Sequence, residues 1–263
     1  MGLLDGKTAL VFGVANDHSI AWGIAQAMHQ QGARLAFSYA GEVLERRVRP
    51  LAQSVGSTFV EPCDVTHDDQ IQALFERASH DLGRIDILVH SIAFAGRDEL
   101  SRPYLETSRQ GFLTAMEVSV YSFTALARAT APLMPEGGSM MTMTYYGSDK
   151  VMPNYNVMGV AKAALESSTR YLASDLGPRG IRVNAISAGP VRTLSAAGVS
   201  GFKRLYKHFA EIAPLRRNVT AEDVAGTAVW LASDMALAVT GEVIFVDSGY
   251  NILGIPSSSE GEG

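Results

Sequence analysis

The apolar positions of this chain fall into short continuous runs, separated by longer stretches that repeat at helical spacing. The first run, Lys7–Gly13 (KTALVFG), shows no polar alternation and ends in glycine. That is the pattern of a strand buried on both faces of a parallel sheet. Ile20–Gln31 then has helical character and stops at Gly32, a residue suited to capping a helix end. The alternation continues. Strands are predicted at Arg34–Tyr39, Thr58–Pro62, Ile85–His90, Ser139–Thr144, Ile181–Ser187 and Glu242–Val246. Helices are predicted at Glu42–Ser54, Asp68–Leu82, Ser108–Ala131, Tyr155–Leu176 and Ala221–Ser233. No repeat, linker or shift of composition divides the chain. The expectation is an α/β fold, a doubly wound parallel sheet of about seven strands in one domain. That domain spans residues 1–255, and Pro256–Gly263 (PSSSEGEG) reads as a frayed tail.

Small or polar residues gather where these strands end: Gly13, Asp64-Val65, Ser91-Ile92-Ala93, Tyr145, Ala188-Gly189-Pro190 and Asp247-Ser248-Gly249. In an open parallel sheet those ends share one edge, where ligands bind at the reversal of strand order. The link from Gly13 to Ile20 is similar to a dinucleotide-binding turn, with only Gly13 and Gly23 surviving from GxGxxG. Ala15 and Ser19 are small enough for a pyrophosphate to approach the backbone, and Ser19 is placed to cap the helix. An ordinary strand–helix turn is the plain alternative. For Asp64 the plain alternative is a turn cap, and for Ser91-Ile92-Ala93 tight packing under a loop. Tyr145 ends one apolar run, Pro153-Asn154 suits a helix start, and Tyr155 and Lys162 follow on one face two turns apart. A phenol near an ammonium is a means of presenting a proton to a substrate oxygen. A Tyr and a Lys at that spacing also occur on any amphipathic helix, and it is the convergence at one sheet edge that favours a site.

Composition narrows the class. The 263 residues are 47% hydrophobic and 19% charged, which excludes disorder and suits one large domain. No apolar run reaches membrane-spanning length, and Met1–Lys7 lacks the features of a signal peptide. A single cysteine, Cys63, excludes an intrachain disulfide and a cysteine metal site, and the six histidines show no ligand spacing. No metal is expected. The net charge of −5 argues against nucleic acid as a partner. A soluble cytoplasmic protein is expected.

The stretches GVANDHSIAWGIA, CDV, VHSIAFA, YYG…PNYNVMGVAK and RVNAISAGPVRTL resemble the short-chain dehydrogenase/reductase superfamily. Within it they resemble the type I bacterial enoyl-[acyl-carrier-protein] reductases, nearly end to end. The superfamily site is Tyr-x3-Lys with a Ser thirteen residues before the Tyr. Here Met158 stands in place of that Tyr and Tyr145 in place of that Ser, while Tyr155 takes over the phenol role. His90-Ser91-Ile92-Ala93 likewise replaces the superfamily's Asn-Asn-Ala-Gly turn. The resemblance implies a Rossmann-type domain, NADH as cofactor and a trans-2-enoyl thioester on acyl carrier protein as substrate, in fatty-acid elongation. It implies that Gly13, Ser19 and Ile20 hold the pyrophosphate, Asp64, Val65 and Ile92 (with Ala40 and Ser91 nearby) the adenine half, and Lys162 the nicotinamide ribose. Val191, Arg192, Thr193, Leu194 and Ser195 would flank the nicotinamide and lead into a lid near residues 193–212. Tyr145 and Tyr155 would line the acyl site, with Ala95, Met158, Pro190, Ala196, Val199, Phe202 and Leu205 as its apolar walls. A homotetramer is also implied.

The second strand ends Tyr39-Ala40-Gly41-Glu42, with no acid at once for the adenine ribose and no adjacent base for a 2′-phosphate. Glu42 would repel such a phosphate, so NADH is favoured over NADPH, although Arg46 and Arg47 lie a turn further on. Phe202, Leu205, Tyr206 and Phe209 recur at helical spacing between Lys203, Arg204, Lys207 and His208. An amphipathic surface helix with a solvated basic side is the plain alternative. Because the stretch follows the residues expected at the nicotinamide and the protein is acidic overall, the helix is expected to wall the acyl tunnel and to offer its basic side to the acidic carrier protein. Two rival readings remain. A 3-ketoacyl reductase would need a phenol at position 158, and a non-catalytic dinucleotide sensor would have no need of Tyr155 with Lys162.

Overall fold

The computed structural model describes residues 2–197 and 201–254. The strands are β1 (Thr8–Phe12), β2 (Arg34–Tyr39), β3 (Phe59–Pro62), β4 (Ile87–His90), β5 (Gly138–Thr144), β6 (Ile181–Ala188) and β7 (Val243–Val246). They form one sheet in the order β3-β2-β1-β4-β5-β6-β7, and every neighbouring pair is parallel. The reversal of strand order lies between β1 and β4, where a doubly wound sheet opens its ligand crevice.

The continuous apolar runs follow from burial on both faces. Along β1, Ala9 and Val11 enter the core on one side, while Leu10 and Phe12 enter the core on the other. The first core is closed by α1 (Ile20–Gln30), α2 (Gly41–Ser54) and α10 (Ala221–Ala232). The second is closed by α3 (Asp68–Asp81), α5 (Arg109–Met116), α6 (Ser122–Thr130) and α7 (Asn156–Leu176). Gly23 serves this packing: a Cβ there would lie 2.8 Å from Ala221 Cβ, so its missing side chain lets α1 and α10 meet. Gly23 therefore belongs to helix packing and not to phosphate recognition.

Two features depart from the sequence expectation. The predicted helix Ser108–Ala131 is interrupted by a widened π turn at Glu117–Tyr121, which separates α5 from α6. A short helix, α4 (Arg97–Ser101), lies in the long connection after β4. Beyond β6 come α8 (Leu194–Ala197) and α9 (Phe202–Ile212), the segment expected to form the lid. The expected tail lies outside the described residues. Among the described residues, no helix is long and apolar enough to cross a membrane.

Candidate active site

The carboxyl ends of the strands converge as the sequence predicts. At the end of β1, Gly13 has φ 99°, and any Cβ there would collide with the Ser91 carbonyl just beyond β4. Only glycine fits this approach, and it brings the two sides of the crevice together. Ser19 precedes the first residue of α1, but its hydroxyl does not cap that helix. It accepts the N–H groups of Ala15 and Asn16, both at 3.0 Å, and so folds the loop back on itself. The first turn of α1 carries no acidic residue and no side-chain cap, and while the Trp22 and Gly23 N–H groups bond to the Ser19 carbonyl, the start of the helix suits an anion. Ile20 lines the adjoining cavity.

On the far side of β1, Ala40 is exposed at the end of β2 and α2 begins at once. Asp64 accepts the N–H and the hydroxyl of Thr66, at 3.0 and 2.8 Å, and so caps its own turn. Those bonds hold its carboxyl below the ordinary range. Val65 is buried beside it, and Ser91 and Ile92 are half-buried at the end of β4.

The chemistry-bearing residues sit around β5 and α7. Tyr145 follows β5, and Tyr155 directly precedes α7. Their rings meet edge-on with centroids 5.0 Å apart. Two glycines make this possible. A Cβ on Gly147 would press on the Tyr155 ring, and one on Gly159 would lie 2.7 Å from the Gly147 carbonyl oxygen. The Tyr145 hydroxyl is buried without a hydrogen-bond partner among the described residues. Burial raises the pKa of both phenols, so each remains a proton-bearing donor through neutral pH.

Lys162 is buried two turns along α7 and donates to the Met143 carbonyl at 2.8 Å. Burial pulls its ammonium down to about 8, against the opposing pull of Glu166 one turn on. Glu166 in turn accepts the Thr144 hydroxyl at 2.6 Å. His90 is fully buried, its ring nitrogens 2.7 Å from Thr142 Oγ1 and 2.9 Å from Ser122 Oγ. Desolvation, then the neighbouring Lys162 charge, drops its pKa to about 3, so the imidazole is neutral.

In front of the phenols opens an apolar cavity of about 470 Å³. Tyr145, Tyr155, Met158, Ala95 and Pro190 line it, and so do Ala196, Phe202 and Leu205 from α8 and α9. Val191 and Leu194, expected beside the nicotinamide, also face it. Thr193 accepts the Ala196 N–H at 3.1 Å and starts α8, of which Ser195 is a part. Arg192 lies 4.5 Å from the centroid of the Tyr206 ring. Val199 lies outside the described residues. The sequence reading missed Phe94, Arg97, Leu100 and Met152 as lining residues. Phe94 stood inside the VHSIAFA stretch and Met152 inside the stretch from Tyr145 to Lys162, but Arg97 and Leu100 carried no signal. Among the described residues, no group of His, Cys, Asp and Glu could hold a metal ion.

The family model described as enoyl-(acyl carrier protein) reductase matches residues 13–251. The enoyl-[acyl-carrier-protein] reductase [NADH] FabI of Bacillus cereus is 56% identical over 97% of this chain and all of its own. The chain belongs to the enoyl-(acyl carrier protein) reductase family. The reductase superposes on the crystal structure of FabI from Candidatus Liberibacter asiaticus with a TM-score of 0.96, at 51% identity over 98% of this chain and all of that one. On the crystal structure of the Bacillus cereus enzyme with NADP+ and indole naphthyridinone the TM-score is 0.95, at 56% identity over 97% of this chain and all of that one.

Proposed function

We propose that the reductase reduces the carbon–carbon double bond of trans-2-enoyl thioesters carried on acyl carrier protein, in fatty-acid elongation, with NADH. The observation that carries this reading is the pair of protonated phenols, Tyr145 and Tyr155, at the head of an apolar cavity sized for an acyl chain. The crevice residues fit a dinucleotide. The uncapped start of α1 suits a pyrophosphate, and the buried ammonium of Lys162 suits a ribose. Gly13, Ser19 and Ile20 would hold the first, and Val191, Arg192, Thr193, Leu194 and Ser195 would flank the nicotinamide. Ala40, Asp64, Val65, Ser91 and Ile92 would frame the adenine half.

When bound, NADH supplies the hydride that adds to the β-carbon of the substrate. Negative charge then grows on the thioester oxygen as an enolate, and a proton taken up at the α-carbon completes the saturated thioester. Tyr155 donates a hydrogen bond to that oxygen, and the Lys162 ammonium favours the enolate through its field. A phenol whose proton is held tightly by burial stays a donor throughout this step. Tyr145, with its hydroxyl unspent, either assists or shapes the pocket. Met158 lies where a ketone reductase of the superfamily would place the phenol that protonates a new alkoxide, which argues against 3-ketoacyl reduction.

The acyl site is walled by Ala95, Met158, Pro190, Ala196, Phe202 and Leu205, and α8 with α9 forms its lid. The outer side of α9 carries the exposed Lys203, Arg204, Lys207 and His208, a basic surface for the acidic carrier protein. The reading extends to a homotetramer working in the cytoplasm. The test is a turnover assay with NADH and either crotonyl-CoA or acetoacetyl-CoA. NADH oxidation with crotonyl-CoA alone is expected, and Tyr155→Phe should lower the rate by roughly 10²-fold or more. Oxidation with acetoacetyl-CoA alone, or with neither substrate, would overturn the proposal.

A further inference from the structure

Tyr155 is set into the chain between two non-glycine residues in the left-handed region, Asn154 at φ 62° and Asn156 at φ 41°. Asparagine tolerates that region better than most residues, usually because its short amide bonds to nearby backbone. Asn156 uses its amide elsewhere. Its Nδ2 donates to the Leu100 carbonyl at 3.1 Å and to the Arg102 carbonyl at 2.6 Å, more than fifty residues back in the chain.

Those carbonyls belong to the end of α4, where a five-residue helix leaves its last acceptors without helical partners. The segment they terminate also supplies Phe94, Ala95, Arg97 and Leu100 to the cavity wall. Two other ties hold the same segment. The Ser119 hydroxyl, in the π turn, accepts the Phe94 N–H at 3.0 Å. The Glu99 carboxylate accepts the N–H and hydroxyl of Ser108 at 3.1 and 2.6 Å. Both of those ties lead to the α5–α6 side of the wall. The Asn156 tie leads to the residue that follows the phenol.

We infer that Asn156 is a positioning residue, coupling the cavity wall of residues 94–102 to the backbone that aims Tyr155. The inference rests on the reading of the cavity as the acyl site. If the wall shifts, the phenol turn shifts with it, so the acyl chain and the hydrogen bond to its thioester are registered together. The donor must be an amide. Aspartate keeps the size and the left-handed tolerance, but it turns an oxygen toward two carbonyl oxygens. Glycine keeps the backbone and removes the tie.

The experiment compares Asn156→Gly, Asn156→Asp, Tyr155→Phe and the double variant Tyr155→Phe/Asn156→Gly with the unaltered protein. Crotonyl-CoA and dodecenoyl-CoA serve as substrates, NADH binding is followed by fluorescence, and folding by thermal melting. NADH affinity should hold while kcat falls by about tenfold in Asn156→Gly, less than the roughly 10²-fold that a full 1 Å misplacement costs. Asn156→Asp should lose more than Asn156→Gly, and KM should rise more for the longer acyl chain. In the Tyr155→Phe background the glycine substitution should cost little further kcat, because it acts through the phenol. Unchanged kcat and KM in Asn156→Gly beside an impaired Tyr155→Phe would overturn the inference alone. So would a loss of NADH affinity in step with kcat, or equal, additive losses in the two backgrounds. A silent Tyr155→Phe would overturn the active-site reading together with this one. If the aspartate variant does not fold, the glycine variant and the double variant decide the matter.

Discussion

Replacing Gly147 by alanine tests the geometry of the phenol pair with a single methyl group. Gly147 is not among the residues of positive φ, so the backbone accepts alanine, and the smaller entropy of the unfolded chain favours it by about 0.4–1 kcal/mol. The added Cβ, however, would lie 2.5 Å from Tyr155 Cδ1, 3.0 Å from Tyr155 Cε1 and 3.2 Å from Tyr145 Cδ1. Carbon atoms rest at about 3.5–4.0 Å, so the Tyr155 ring must retreat by about 1 Å. The turn cannot easily yield in its place, since the Gly147 carbonyl already lies over Gly159 at the start of α7. Overpacking of this kind costs about 1–3 kcal/mol, partly offset by the entropy gain. A 1 Å misplacement of a catalytic group costs about 10²-fold in rate. Gly147→Ala should therefore melt no more than about 10 °C below the unaltered protein (a shift of roughly 2–4 °C per kcal/mol), bind NADH normally, and turn over crotonyl-CoA about a hundredfold more slowly. Wild-type kcat in a folded variant would refute the placement of Tyr155 in the reaction.

The Lys162 ammonium titrates near 8 because burial disfavours its charge. If the charged form supports the enolate, kcat/KM of the free enzyme should fall as pH rises through about 8, and Lys162→Arg should move that limb to higher pH. A profile flat to pH ~10, where a free lysine would itself titrate, would refute this. NADH should serve at least as well as NADPH in steady-state kinetics, because Glu42 stands exposed in the first turn of α2 with Arg46 paired to it at 3.8 Å. A clear preference for NADPH would mean that Arg46 or Arg47 reaches the phosphate instead. Reversing charge at Lys203 and Arg204 should raise KM for carrier-bound substrate several-fold and weaken its salt dependence, while crotonyl-CoA is little affected. Equal losses on both substrates would point to a damaged lid.

The sheet was legible because strands buried on both faces leave continuous apolar runs, and the predicted bounds of β2 coincide with those observed. The break between α5 and α6 was not. Periodicity through Glu117–Tyr121 stays helical, and the bond that the widened turn makes, from Phe94 N–H to the Ser119 hydroxyl, joins residues twenty-five apart and leaves no local pattern. Tyr155 and Lys162 could be picked out from their spacing and the displaced superfamily tyrosine. Gly147 and Gly159 could not, since a glycine in a loop reads only as a turn, and one in a helix only as a weak breaker, until its neighbours are known. Ser19 was misjudged for a related reason. Its position marks a cap, but its hydroxyl is committed to the loop before it.

The buried His90 has a further consequence. The Ser122 hydroxyl gives its proton to the Val118 carbonyl at 2.7 Å, so toward the ring it can only accept. Nε2 of His90 must therefore carry the hydrogen, and Nδ1 must be the bare nitrogen that receives the Thr142 hydroxyl. Donors and acceptors thus run in one direction from β5 through β4 to α6, and reversing any link would leave two hydrogens or two lone pairs facing each other. A ring locked into one tautomer in this way cannot relay a proton without rewiring the whole chain. It stands beside Lys162 as an insulator, and adds no charge of its own to that of the ammonium.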